Sequence, residues 1–101
     1  MAKPAIAELQ HEDDAVRVTL WRFAPFTETG WHVHEYDYVV VPVQGGTLTV
    51  ETHDGGRAEY PIQTAVSYAR PRCTEHNIIN DTDAEIAFVE IELKASAKPA
   101  V

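Results

Sequence analysis

The stretch His32-Val33-His34-Glu35-Tyr36-Asp37-Tyr38-Val39-Val40-Val41-Pro42-Val43-Gln44-Gly45 decides how this chain is read. Its second half, Tyr38 to Val43, is a β-branched run that reads as a buried strand, since such side chains fit a pleated, half-buried surface. Pro42 lies near the end of the run, where a missing backbone donor is tolerated at an edge or a bulge. Gln44-Gly45-Gly46 then turns the chain. In the first half, His32 and His34 stand two residues apart on a short strand expected over Trp31–His34. Side chains at that spacing leave the same face of a sheet. Two imidazoles on one face are a start for a metal site, because neutral imidazole ligates most first-row transition metals. The pair alone is a weak signal; a third ligand from a distant strand strengthens it, and His76 is the candidate.

Working outward, the same punctuation repeats. Upstream, Val16, Val18 and Leu20 alternate with Arg17, Thr19 and Trp21, the period of a half-buried strand, and Pro25 and Gly30 break the connection that follows. Downstream, strands are expected at Thr47–Thr52, Arg57–Ile62, Ala65–Ala69, Glu75–Asn80 and Glu85–Leu93. His53-Asp54-Gly55-Gly56 is a hairpin signal, because Asp-Gly accepts the positive φ of tight turns. In the last strand either Ile86 and Phe88 or, in the opposite register, Ala87 and Val89 face the core. About eight or nine short strands, with turn signals every ~8–12 residues and no helical period, predict an all-β sandwich or barrel of antiparallel sheets. Residues 1–14 read as an irregular polar lead-in or an added edge segment, 15–93 as the barrel, and 94–101 as a frayed tail.

Composition bounds the possibilities. The chain has 101 residues, 45% of them hydrophobic, which suits one globular domain. Sixteen Asp+Glu against eight Lys+Arg give a formal charge of −8, which opposes polyphosphate and disfavours nucleic acid as a partner. No apolar run approaches the ~18–20 residues that span a bilayer, so no membrane partner is expected. The opening MAKPAIAELQ lacks the apolar core of a cleaved leader, and the lone Cys73 suits a reducing compartment; a cytoplasmic location is the expectation.

Two motifs now carry a resemblance. His32-Val33-His34, then Glu35-Tyr36-Asp37, Tyr38, six residues and Gly45 match the first motif of the cupin family, in which HxH is followed by a glutamate and, six residues on, a glycine. Pro71-Arg72-Cys73-Thr74-Glu75-His76-Asn77-Ile78-Ile79-Asn80 resembles the family's second motif, PxGxxHxxxN. Together they span Gly30 to Asn80. The resemblance implies a cupin-type double-stranded β-helix, a jelly-roll barrel of two antiparallel sheets. It also implies a divalent metal (Fe, Zn, Ni or Mn) on His32, His34 and His76, and pairing into homodimers through edge strands. Tyr-Val-Val-Val-Pro-Val (38–43) with its following glycines is also similar to small single-domain cupins associated with β-alanine degradation.

The chain departs from the pattern twice. Tyr38 stands where the family has its glutamate, and a neutral phenol of pKa near ~10 is a poor ligand for divalent metals. Tyr38, Glu35 and Asp37 are the alternatives for a fourth ligand, and the simplest expectation is three histidines with open positions, as a catalytic metal needs. Cys73 replaces the turn glycine of the second motif and would adopt its left-handed backbone at some cost; a thiol lining the pocket is the other reading. Tyr36 and Tyr68 are candidate pocket hydroxyls, and Arg70 and Arg72 could receive a carboxylate in bidentate fashion. His11 and His53 read as surface residues.

These readings predict a metal-dependent enzyme, an oxygenase or lyase acting on a small polar metabolite. Tyr38 would hydrogen-bond or protonate the bound substrate, and Tyr36, Tyr68 and Arg70 would help bind it. A barrel of about eight strands has room for one small ligand, not a polymer. The alternative is a cupin module that binds or senses a small ligand without turning it over. A sugar isomerase or epimerase of this type is a third reading, for which Tyr38 in place of a carboxylate is awkward.

Overall fold

The structure is a computed structural model that describes residues 3–97; residues 98–101, the end of the tail expected to fray, lie outside the described residues. The described strands are β1 (Lys3–Pro4), β2 (Ile6–Glu12), β3 (Val16–Phe23), β4 (Thr27–Glu28), β5 (His32–Val33), β6 (Asp37–Gln44), β7 (Gly46–Glu51), β8 (Arg57–Ile62), β9 (Tyr68–Arg70), β10 (Glu75–Asn80) and β11 (Ile86–Leu93). A 3-10 turn at Lys94–Ala97 follows. One sheet runs β1-β4-β10-β7-β8, with β5 also paired to β10; the other runs β2-β3-β11-β6-β9. Pairing is antiparallel apart from the short contact of β1 with β4. This is the all-β, double-sheet architecture expected from the strand count.

Alternation along β6 sets the layers. Tyr38, Val40 and Pro42 are buried between the sheets, while Val39 and Val41 face the other side. On the neighbouring strand the partners of those three are Glu92, Glu90 and Phe88, so the even-numbered residues of β11 share the inner face. The open register is thereby decided in favour of Ile86 and Phe88. They join Phe23, Val40, Leu48, Ile62 and Ile78 in one apolar cluster. Each such side chain removed from water contributes about 1.5–3 kcal/mol before entropy is set against it.

Several elements differ from the sequence reading. Of the two readings of the lead-in, the added edge segment holds: Ile6–Glu12 is an edge strand registered on β3 from Ile6↔Arg22 to Glu12↔Arg17. Its polar sequence hides this, because what holds it is the open backbone edge of β3, not an apolar face. Asp13 closes the connection, its carboxylate accepting from the Ala15 and Val16 amides at 2.8 and 2.9 Å. The strand expected at Ala65–Ala69 lies instead at Tyr68–Arg70. Ala65 is left-handed (φ 68°), and its amide donates to Pro42 O at 2.9 Å. The start of the tail is tied down, with Lys94 donating its amide to Ala15 O at 2.9 Å and its ammonium 2.7 Å from Glu12.

Gln44-Gly45-Gly46 is a crossing between sheets, since β6 and β7 belong to different ones. A Cβ on Gly45 would stand 2.5 Å from Ile62 O, so only glycine lets the backbones approach this closely. Pro42 lies beside a register irregularity between Ala87 and Phe88, the bulge where its missing donor costs least. No described helix is long and apolar enough to cross a membrane.

Candidate functional site

Apolar packing fills one end of the space between the sheets. At the other end it opens into a cavity of about 50 Å³ lined by His32, His34, His76, Tyr38, Tyr68 and Arg70, with Trp21, Phe88 and Glu90 among its walls. That volume holds about three to five water-sized groups, the scale of a small metabolite.

The backbone brings the three histidines together from both motifs. β5 pairs with β10 so that His32 stands opposite His76. His34 is held by reciprocal backbone bonds: its amide donates to Thr74 O at 3.0 Å, and its carbonyl accepts from the Cys73 amide at 2.8 Å. Cys73 reaches this position with φ 68°, the left-handed backbone that a glycine adopts without a Cβ penalty. Its side chain is exposed and does not line the pocket. The loop before His32 is anchored by Asn77, whose Oδ1 accepts from the Gly30 amide at 3.0 Å, with Gly30 itself at φ 86°.

The three Nε2 atoms converge. His34 Nε2 lies 3.2 Å from His32 Nε2 and 3.2 Å from His76 Nε2. Nitrogens bound to one divalent ion at ~2.1 Å would stand ~3.0 Å apart at right angles and ~3.4 Å apart at the tetrahedral angle. The observed spacing falls between these, so the donor set fits a metal and could hold one. His32 Nδ1 donates to Gly30 O at 2.9 Å, which leaves the Nε2 lone pair facing the other two rings. Burial pushes His34 down to about 3, with His32 and His76 adding to the effect. Burial also pushes His76 down to about 4, reinforced by His32 and Arg70. Both rings are therefore neutral at physiological pH, the protonation state that ligates metal.

The residues weighed as a fourth ligand lie as follows. Tyr38 stacks on His34, with ring centroids 3.9 Å apart and planes 21° apart. Burial raises its phenol to about 12, outweighing the opposing hydrogen bond to Thr74, so it stays a neutral phenol. Glu35 is exposed. Asp37 accepts the Arg72 amide at 2.7 Å. Neither carboxylate falls among the described groups that could hold a metal.

Tyr68 and Arg70 line the cavity, and burial raises the Tyr68 phenol as well. The Arg70 guanidinium sits 5.5 Å over the Tyr60 ring. Tyr36 lies outside the lining, its ring beneath the Arg17 guanidinium at 5.8 Å. Arg72 is exposed in the turn. His11 and His53 are on the surface, 2.8 Å from Asp13 and 2.7 Å from Glu75, and His53 stacks on Trp31.

Glu90 is the site residue that sequence reasoning did not single out. It is 8% exposed and lines the cavity. Burial, then the neighbouring Glu92, raises its carboxyl to about 7. One signal could have found it: if Ile86 and Phe88 face inward, the alternation carries Glu90 inward too.

No family model matches the chain. It is 47% identical over 90 residues to the beta-alanine degradation protein BauB of Pseudomonas aeruginosa, covering 89% of this chain and 94% of that protein. The crystal structure of a cupin domain from Bordetella pertussis superposes with a TM-score of 0.89 at 48% identity, covering 93% of this chain and 97% of that one. A protein from Klebsiella pneumoniae with a double-stranded beta-helix domain shares the fold at 17% identity, with a TM-score of 0.75 over 94% of this chain and 81% of that one. With both motifs in place on a matching barrel, the chain belongs to the cupin superfamily.

Proposed function

We propose that this cupin is a metal-dependent enzyme, an oxygenase or lyase, acting on a small carboxylate-bearing metabolite. The observation that carries the reading is the convergence of three imidazole nitrogens in a small cavity that also presents Arg70. His32, His34 and His76 would hold the divalent ion. When bound, that ion supplies Lewis-acid polarisation or a site for dioxygen chemistry. Arg70, on the cavity wall, takes a substrate carboxylate and orients it. The Tyr38 ring keeps His34 in place, and its neutral hydroxyl can donate to a bound oxygen by exchanging its bond to Thr74. Trp21, Phe88 and Val40 give the cavity an apolar wall, which strengthens the polar contacts beside it. The Pseudomonas relative is named for β-alanine degradation, which points to a small carboxylate-bearing substrate.

The protein is also proposed to work as a homodimer. The outer face of the β2-β3-β11-β6-β9 sheet carries Val16 and Val18 beside Val89, Ile91, Val39 and Val41, a half-buried apolar stripe. Edge strand β2 is exposed along its whole length.

The test is metal analysis of protein purified without a histidine tag. Oxygen uptake with Fe(II) across small thiols, diketones and carboxylic acids follows, with His76→Ala as the folded control. Bound metal and turnover that His76→Ala abolishes are expected. No metal bound or taken up on titration overturns the reading. Ligand-induced melting shifts without turnover replace the enzyme with a binding module.

A further inference from the structure

We propose that Glu90 is the carboxylate of the metal site, supplied from β11 in place of the glutamate that Tyr38 displaces on β6. This rests on the metal-site reading above and adds a residue to it. Glu90 is more than nine-tenths buried. It has no hydrogen-bond or ion-pair partner among the described residues, although buried carboxylates are ordinarily paired. None of the described side-chain oxygens or nitrogens is sealed from solvent without a partner, so the Glu90 oxygens open on the cavity.

Its position is specific. A Glu90 oxygen lies within 4.8 Å of a ring nitrogen of His34, in a group with Glu92 that is separate from the group of three histidines, so Glu90 reaches their ion by turning its side chain past His34 toward His32 and His76. The two acids differ in their company. Glu92 is approached by the Arg17 guanidinium at 3.5 Å, whereas Glu90 has no ion pair among the described residues, Arg70 lining the same cavity without pairing with it. In the register Val40 of β6 stands opposite Glu90 and Tyr38 opposite Glu92, so Glu90 lies two residues along β11 from the partner of Tyr38. A carboxylate on β11 is thus one strand away from the position where the family motif has its own. Three neutral imidazoles leave a divalent ion at +2, and an ionised Glu90 reduces the charge of the centre by one.

The experiment is chelator-competed titration of the whole protein with Co(II), comparing wild type with Glu90→Gln and Glu92→Gln. Circular dichroism confirms that each variant is folded. Glu90→Gln, which keeps the shape of the side chain, should weaken Co(II) binding about 10–100-fold, the range for losing a group that supports a metal. Glu92→Gln should stay within about 3-fold of wild type. Should Glu90→Gln fold poorly, Glu90→Asp, which keeps the charge and withdraws it by one methylene, should still weaken binding. Unchanged affinity in Glu90→Gln, or equal loss in Glu92→Gln, overturns the assignment while the three-histidine site stands. Failure of wild type to bind Co(II) overturns both.

Discussion

Two buried polar residues sit in opposite ends of the same barrel, and they are used in opposite ways. Asn80, 0% exposed at the closed end, has every hydrogen-bonding atom engaged. Its amide donates to Phe23 O at 3.0 Å, Ala24 O at 3.3 Å and Ala84 O at 2.8 Å, and its carbonyl accepts from the Thr82 amide at 3.1 Å and hydroxyl at 2.7 Å. Glu90, at the open end, is almost as buried and has no such partner among the described residues. A polar group saturated by its own chain staples structure, as Asn80 does in tying the end of β10 to the turns on either side. A polar group left unsaturated lowers stability and is retained where something else is to be bound.

The comparison can be broken most severely at Asn80. Asn80→Ala removes five contacts and strands buried carbonyls, so it should destabilise the fold by about 3 kcal/mol or more. Urea unfolding followed by circular dichroism measures this, and a loss below about 1 kcal/mol would mean that Asn80 is not the staple its contacts suggest. Metal affinity in that variant, measured under folded conditions, should be nearly unchanged.

The open end should respond to pH instead. His34 and His76 have folded values of about 3 and about 4, below the unfolded value of 6.5. The unfolded chain therefore binds more protons in that window, and metal-free protein should lose stability as pH falls from about 6.5 towards 4. Glu90 acts in the other direction. Its folded value of about 7 lies above the unfolded 4.5, so its contribution is lost as pH rises through that range. Glu90→Gln should accordingly leave the loss below pH 6.5 in place while making metal-free protein more stable than wild type at pH 8. Urea midpoints across pH 4–8 report both trends, and a Glu90→Gln protein weaker than wild type at pH 8 would contradict the second.

The smallest effect belongs to Cys73, which supports His34 through its backbone alone. Cys73→Gly relieves a left-handed Cβ at ~1–2 kcal/mol and adds chain entropy to the unfolded state. A net stabilisation of about 0.5 kcal/mol is expected by thermal unfolding, with metal affinity unchanged.

Local chemistry explains which parts of this molecule were readable beforehand. Arg57–Ile62 and Glu75–Asn80 are strands with the limits their flanking turn residues suggested. Tyr38–Val43 lies inside β6, one residue shorter at each end. Edge strand β2 was harder, because its partner is a backbone edge and its side chains show no inner face. β9 was displaced because Ala65 adopts a turn conformation that its side chain does not advertise. In the site, His32 and His34 share a face by strand periodicity, and His76 followed from the second motif. Glu90 was hidden because Glu85–Leu93 alternates apolar with acidic residues after Phe88, and such a strand ordinarily turns its acids to water.

By itself the sequence determined the class of fold and the pairing of His32 with His34, because each depends on neighbours a few residues apart, while the left-handed residue at position 73 was implied by the resemblance to the second motif. Only the tertiary structure decided what stands next to what across the barrel. Register between β6 and β11 turns Glu90 inward, β5 on β10 sets His32 against His76, and the Tyr38 ring lies on His34 with its phenol kept neutral. These are long-range pairings fixed by packing two sheets on one core. A side chain's meaning there comes from the strand opposite, which no local pattern specifies.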